Sequence, residues 1–224
     1  MVQRMTFADR ALQFNDMLAL ISLDLPTEFR IVNPFQTDQK AHVRSMAETF
    51  YRKYYDDAGS RRLILGSSPA RRGSAVSGIP FEGSSAMTSS SGFLDDVITQ
   101  YGGRRRFYAD FYMNFVCPLG IVRVSSKGRE VNCNYYENKE LQEALYSFII
   151  DTLRCQVGLG IDTSVCYCIG SGQNFHFLSH INKEFHFFGS IVPLEHPRFV
   201  VQYNPGRKDE YIAKYVEALR HERL

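Results

Sequence analysis

The chain has 224 residues, 44% of them hydrophobic, which is enough apolar side chain for one sizeable core and excludes a mainly disordered chain. Its 26 Lys and Arg against 24 Asp and Glu leave a net charge of only +2, so any basic surface for a polyanion has to be local. Five cysteines, at 117, 133, 155, 166 and 168, form no C-x-x-C pair; this argues against a zinc ribbon, an iron–sulfur framework or a disulfide scaffold, and a reduced intracellular protein, cytoplasmic or nuclear, is expected.

No run approaches the ~18 apolar residues of a membrane-spanning helix and the N-terminus lacks a signal-peptide hydrophobic region, so neither a membrane nor secretion is expected. Phe7, Ala11, Phe14, Leu18 and Ile21 recur instead at helical spacing. Leu25-Pro26 and Asn33-Pro34-Phe35 mark a connection, and residues 41–55 read as a second helix with Met46, Phe50 and Tyr54 on one stripe. Leu63, Ile64 and Leu65 form a short, continuously apolar strand of the kind found in a sheet covered on both faces. A loop with three glycines and two prolines follows, to Phe81, and the serine-rich stretch 83–92 reads as a surface connection before a helix around 93–101. Arg104-Arg105-Arg106 reads as a solvated charge run.

Residues 115–122 are a second apolar strand, interrupted by Pro118, which ends regular pairing or puts the strand at an edge. A long helix over 139–157 comes next. A third strand over 163–169 turns at Gly170-Ser171-Gly172 into another helix; Cys166 and Cys168 share one of its faces as small buried residues. Residues 191–194 are a fourth strand, ending at Glu195-His196-Pro197-Arg198, and an amphipathic helix covers 208–220. His176, His180 and His186 read as surface or packing residues. Strands alternating with helices give an α/β fold, a three-layer α/β/α sandwich around a mostly parallel central sheet of about four strands. One domain over 1–224 is expected, with N-terminal helices in 1–58 and the core in 60–224. In such a sheet ligands bind outside the carboxyl ends of the strands, so the loops after Leu65, Ile169 and Leu194 should meet.

Three ligands suit the loop 66–81. A phosphate loop fails because Ile79-Pro80 stands where a Walker lysine and hydroxyl belong, and the dinucleotide pattern fails because Phe175 replaces the third glycine after Gly170-Ser171-Gly172. A nucleophile elbow, with Ser68 as nucleophile, Asp162 as acid and His196 as base, loses an oxyanion donor because Pro69 has no N–H. An extruded nucleobase fits best: Phe81 offers a stacking face, Asn114 or a nearby backbone amide could read the edge, and His196 could donate to the base oxygen. Arg71, Arg72, Arg198, Arg207 and Lys208 supply local positive charge near the converging loops.

The motifs Gly66-Ser67-Ser68-Pro69-Ala70, Ser77-Gly78-Ile79-Pro80-Phe81, Val116-Cys117-Pro118-Leu119 and His196-Pro197-Arg198 resemble, in this order, the uracil-DNA glycosylase superfamily. They look most like the single-strand-selective monofunctional branch, in a bacterial-type second subgroup active on deaminated purines. The resemblance spans about 63–215 and includes Asn134-Tyr135-Tyr136 and Gly170-Ser171-Gly172-Gln173-Asn174. It implies an α/β/α fold, base excision without metal or organic cofactor, and DNA, single- or double-stranded with the damaged base flipped out, as partner of a monomer.

Carried over by position, Ser68 takes the place of the asparagine that orients the attacking water in G-x-N-P-G, His196 stabilises the departing base and Phe81 stacks on it. Gly66, Ser67 and Pro69 line the base pocket. The base-reading asparagine falls at Phe115, with Asn114 one residue earlier; either a bulge returns Asn114 to the pocket or the Phe115 backbone reads the base. Arg71, Arg198, Gly172 and Asn174 are expected at the DNA, the last two at a helix N-terminus able to hold a phosphate. With serine at 68, the resemblance implies either an active glycosylase or a catalytically impaired relative that binds nucleic acid.

Overall fold

The structure, a computed structural model that describes residues 5–71, 73–82 and 89–220, opens with helix α1 (Phe7–Leu18). A capping box fixes its start: Asp9 N donates to Thr6 Oγ1 at 3.2 Å and Thr6 N donates to Asp9 Oδ2 at 2.8 Å. Phe7, Ala11, Phe14 and Leu18 are buried, and Ile21 lies past the helix end. Strand β1 (Phe29–Val32) and a 3-10 turn at Pro34–Gln36 lead into α2 (Lys40–Tyr55). The buried stripe of α2 is Val43, Ala47, Tyr51 and Tyr55, one residue round from the expected stripe; Met46, Phe50 and Tyr54 pack at the edge of the core.

Strand β2 (Arg61–Gly66) is buried throughout and is followed by α3 (Ser74–Ser77), α4 (Ser89–Tyr101) and α5 (Arg104–Asp110). Of the serine-rich stretch, 83–88 lie outside the described residues and 89–92 belong to α4. The arginine run opens a helix. Strand β3 (Phe111–Phe115) and strand β4 (Gly120–Val124) correct the single interrupted strand expected over 115–122. Pro118 cannot donate to a ladder, so the chain leaves the main sheet after Phe115, and β4 pairs antiparallel with β1 and with β5 (Glu130–Cys133) in a separate three-stranded sheet. Helix α6 (Lys139–Val157), β6 (Ile161–Ile169), α7 (Gln173–Phe185), β7 (Ser190–Leu194), α8 (Pro197–Tyr203), a 3-10 turn at Pro205–Arg207 and α9 (Lys208–Arg220) complete the described chain. Among the described residues no helix is long and apolar enough to cross a membrane.

The main sheet runs β3-β2-β6-β7, all parallel, with helices packed around it. Its four carboxyl ends therefore share one edge. Backbone bonds tie the exits together: Val116 N to Gly66 O at 2.8 Å, Cys117 N to Ser67 O at 2.9 Å and Gly170 N to Leu194 O at 2.7 Å. The loops after β2, β3, β6 and β7 open on that edge, as parallel topology requires.

The loop after β2 is anchored at Gly78, whose φ of 70° closes α3; a Cβ there would lie 2.6 Å from Val43 Cγ1 on α2. Gly78→Ala combines left-handed strain with that collision. It should cost ~1–3 kcal/mol, read as a lower midpoint in urea unfolding.

Candidate active site

Strand β2 ends beneath two aromatic rings. A Cβ on Gly66 would lie 2.7 Å from Phe81 Cζ and 3.0 Å from Phe115 Cδ1, so only glycine lets both rings cover the strand end. The rings stack with centroids 4.6 Å apart and planes 18° from parallel. Phe81 has a φ of 62°, which a side chain adopts only when its surroundings enforce it. Here its N–H donates to Ser74 Oγ at 2.9 Å, and Ser77 Oγ donates to the carbonyl of Glu82 at 2.7 Å. The Glu82 carboxylate accepts from Tyr108 OH at 2.6 Å and from Arg104, whose Nη2 also reaches Asp95 Oδ1 at 2.5 Å. Burial, and then the Glu82 charge, push the Tyr108 phenol well above its usual range. Arg104 is thus a clamp on the stacking loop rather than part of a solvated run.

Next to the rings is a cavity of about 20 Å³ bordered by Asn15, Leu18, Ser74, Asn114, Phe115 and Pro118. That holds about one water and no base. A base stacking on the face of Phe81 that Phe115 covers requires Phe115 to turn away. The β2–β3 register runs without a shift, pairing Leu65 with Asn114 and Gly66 with Phe115, so no bulge brings Asn114 to the face that Phe115 occupies. The buried Asn114 amide donates to Tyr112 OH at 3.0 Å and accepts from Phe115 N at 2.9 Å, while Phe115 O accepts from Gln156 Nε2 at 3.1 Å. Both groups expected to read a base edge are engaged within the protein.

Beyond Gly66 the two serines converge on a residue that the sequence reasoning left without a role. Ser67 Oγ donates to Asn134 Oδ1 at 2.8 Å and Ser68 Oγ donates to the same oxygen at 3.1 Å. Asn134 follows β5, and both its backbone N and its Nδ2 donate to Glu137 Oε1, at 2.9 and 2.7 Å. The only signal in the sequence was its place in Asn134-Tyr135-Tyr136. Pro69, next in the loop, is buried. Arg71 is tied to β5: Nη1 pairs with Glu130 Oε2 at 2.8 Å and its N–H reaches Asn132 Oδ1 at 3.1 Å.

On the other side of the edge, His196 caps α8, its Nδ1 accepting from Arg198 N at 3.1 Å. In the neutral ring the proton therefore resides on Nε2. Desolvation by the surrounding protein, followed by the Arg198 charge, holds the imidazole below its ordinary pKa of 6.5, although His196 is exposed at the surface. Ser171 Oγ donates to Glu195 Oε2 at 2.9 Å and Tyr215 OH donates to Glu195 O, which fixes the turn before His196. Arg198 is exposed, and its guanidinium donates to the neutral Gln202 at 2.9 Å. Phe199 and Tyr203 stand exposed on α8, 43% and 73% open, with rings 6.2 Å apart; their i, i+4 spacing was the signal that could have singled them out.

Gly172 is exposed at the start of α7. Asn174 is not: its Oδ1 accepts from Tyr135 OH at 2.6 Å and its Nδ2 donates to Ile169 O at 3.0 Å, so its side chain braces the helix start from inside. Arg207 pairs with Glu210 at 2.7 Å and Lys208 with Asp96 at 2.5 Å, while Arg72 lies outside the described residues. Among the described residues no cluster of three or more His, Cys, Asp or Glu is placed to hold a metal ion.

A histidine whose folded pKa is depressed contributes stability that is present above pH 6.5 and is lost as the pH falls through 6.5 toward the folded value. His196→Asn keeps a cap acceptor and does not titrate. The unaltered protein should therefore lose more Tm than His196→Asn between about pH 7.5 and pH 5.5; equal losses would show that folding does not favour the neutral ring.

Comparison with known proteins gives the same answer as the motifs. The family model described as the uracil DNA glycosylase superfamily matches residues 52–220. The crystal structure of wild-type Pedobacter heparinus SMUG2 superposes with a TM-score of 0.91 at 42% identity, covering 97% of this chain and 98% of that one. No curated protein matches the chain. The chain belongs to the uracil-DNA glycosylase superfamily, and its fold and motifs set it beside SMUG2.

Proposed function

We propose that this protein is a monofunctional DNA glycosylase that removes uracil or a related deaminated base, such as hypoxanthine or xanthine, as the first step of base excision repair. The observation that carries this reading is His196, whose imidazole is held toward its neutral form with Nδ1 occupied by the α8 cap, so that its proton resides on Nε2. In the step it serves, the bond between C1′ and the base nitrogen breaks and its electron pair leaves with the base. Water forms the new C1′–O bond, giving up one proton to solvent while the base anion takes one up, so the step balances with water alone.

A hydrogen bond from a neutral donor to the base oxygen is worth most as negative charge develops in a partly desolvated site. Ser68 would hold the water and Phe81 would stack on the flipped base once Phe115 turns aside, with Gly66, Ser67 and Pro69 forming the wall. Asn114 and the Phe115 backbone can contact a base only by exchanging their present partners. Arg198 and the amide end of α7 at Gly172 would take phosphates; Arg71 would do so by leaving Glu130. Phe199 and Tyr203 would wedge into the stack that the base leaves.

One observation favours a second reading, a nucleic-acid binder that has lost excision: Phe115 fills the place beside Phe81. Single-turnover assays with enzyme in excess over uracil, hypoxanthine and xanthine DNA separate the two. Abasic sites from the unaltered protein, reduced ~10²-fold or more in His196→Ala, support the glycosylase; salt-dependent binding without abasic sites supports the binder. Phe199→Ala with Tyr203→Ala should weaken excision from duplex about ten-fold and from single strands much less, because only a duplex has to be opened.

A further inference from the structure

We infer that Asn134 is a positioning residue for the attacking water, acting through Ser68 and held by Glu137. The inference rests on the glycosylase reading above.

A water that attacks C1′ must turn a lone pair toward the carbon and its hydrogens away, so the group that holds it has to accept a hydrogen bond. A serine hydroxyl is a poor choice alone, because it rotates and can offer either its proton or its lone pairs. Here the choice is made. The Ser68 proton is spent on Asn134 Oδ1 at 3.1 Å, which leaves the hydroxyl oxygen with lone pairs only. Ser67 gives the same carbonyl a second proton at 2.8 Å.

The amide in turn has one workable orientation. Glu137 Oε1 accepts from both the backbone N and Nδ2 of Asn134, at 2.9 and 2.7 Å. Rotating the amide by half a turn would set its oxygen against the carboxylate and its NH₂ against two hydroxyls. Carboxylate, amide, hydroxyl and water thus form one directed chain in which each bond strengthens the next. The asparagine missing at position 68 is supplied from the turn between β5 and α6, one hydrogen bond further from the water.

Asn134 and Glu137 also close a turn, Glu137 N to Asn134 O at 3.1 Å, so the test has to separate relay from turn. Under single-turnover conditions Asn134→Ala should lower the excision rate about 100-fold, with affinity for DNA carrying an uncleavable base analogue within about two-fold. In a Ser68→Ala background the same change should cost less than about two-fold, because the relay is already cut. Ser68→Asn, which brings its own amide, should lose less than about three-fold on adding Asn134→Ala. Glu137→Ala should lose about ten-fold and Glu137→Gln, whose oxygen can accept the same two bonds, should recover most of it. If Asn134→Ala does not fold, the Glu137 pair carries the comparison.

An unchanged rate in Asn134→Ala, additive losses with Ser68→Ala, or losses that follow Tm and DNA affinity would overturn the relay while the glycosylase reading stands. No excision by the unaltered protein on any base overturns both.

Discussion

A side chain at residue 66 would strike the rings of Phe81 and Phe115, and the whole ligand-facing edge is arranged around the absence of that side chain. Strand β2 is central, so its carboxyl end is covered from both sides by later segments of the chain. Phe115 arrives from the paired β3, and Phe81 returns from the far end of the loop with a left-handed backbone. Two glycines make that return feasible, Gly66 by admitting the rings and Gly78 by closing α3 against Val43. Glu82, Arg104 and Tyr108 then hold the loop from the α5 side. Strain at Phe81 persists because its backbone is bonded on one side and its neighbour is clamped on the other.

Charge is distributed with similar economy. A net charge of +2 gave no sign of a polyanion partner, and most of the cations near the edge are already matched: Arg71 to Glu130, Arg104 to Glu82 and Asp95, Arg207 to Glu210, Lys208 to Asp96. Arg198, beside His196, is exposed, and among the described residues its guanidinium is bonded to a neutral amide rather than a carboxylate. Its charge acts in two directions, open to an anion and pressing the imidazole toward its neutral form. Exposed ion pairs contribute little stability, so the pairs of Arg207 and Lys208 are inexpensive to break, whereas Arg104 is held in the clamp on the Phe81 loop.

Ser68 shows how a substituted position acquires partners in space that its sequence neighbours do not offer. By sequence it is a loss of one amide; in three dimensions it faces Asn134, whose carbonyl also collects Ser67. The pocket shows the opposite case. Phe115 stands where the resemblance put a base-reading asparagine, and its ring lies against Phe81. An apolar side chain facing another aromatic ring gains more from stacking than from exposure, so the two rings close over the end of β2.

Much of this was legible in order along the chain. Helices over 139–157 and 208–220 follow from apolar periodicity and end where they were expected, because both are long and amphipathic enough for local pattern to decide them. The spaced motifs pointed to the family, and the loops after β2, β6 and β7 open on one edge because parallel strands send their carboxyl ends to it. The sequence did not reveal that 115–122 divides between two sheets, that the α2 stripe is turned by one residue, that Asn174 points inward, or that Asn134 meets Ser68. Each of these depends on a partner distant in the chain, as with Asn134 and the serines 66 and 67 residues away. Periodicity and spacing determine what a residue can offer its neighbours; only packing decides which neighbours it has.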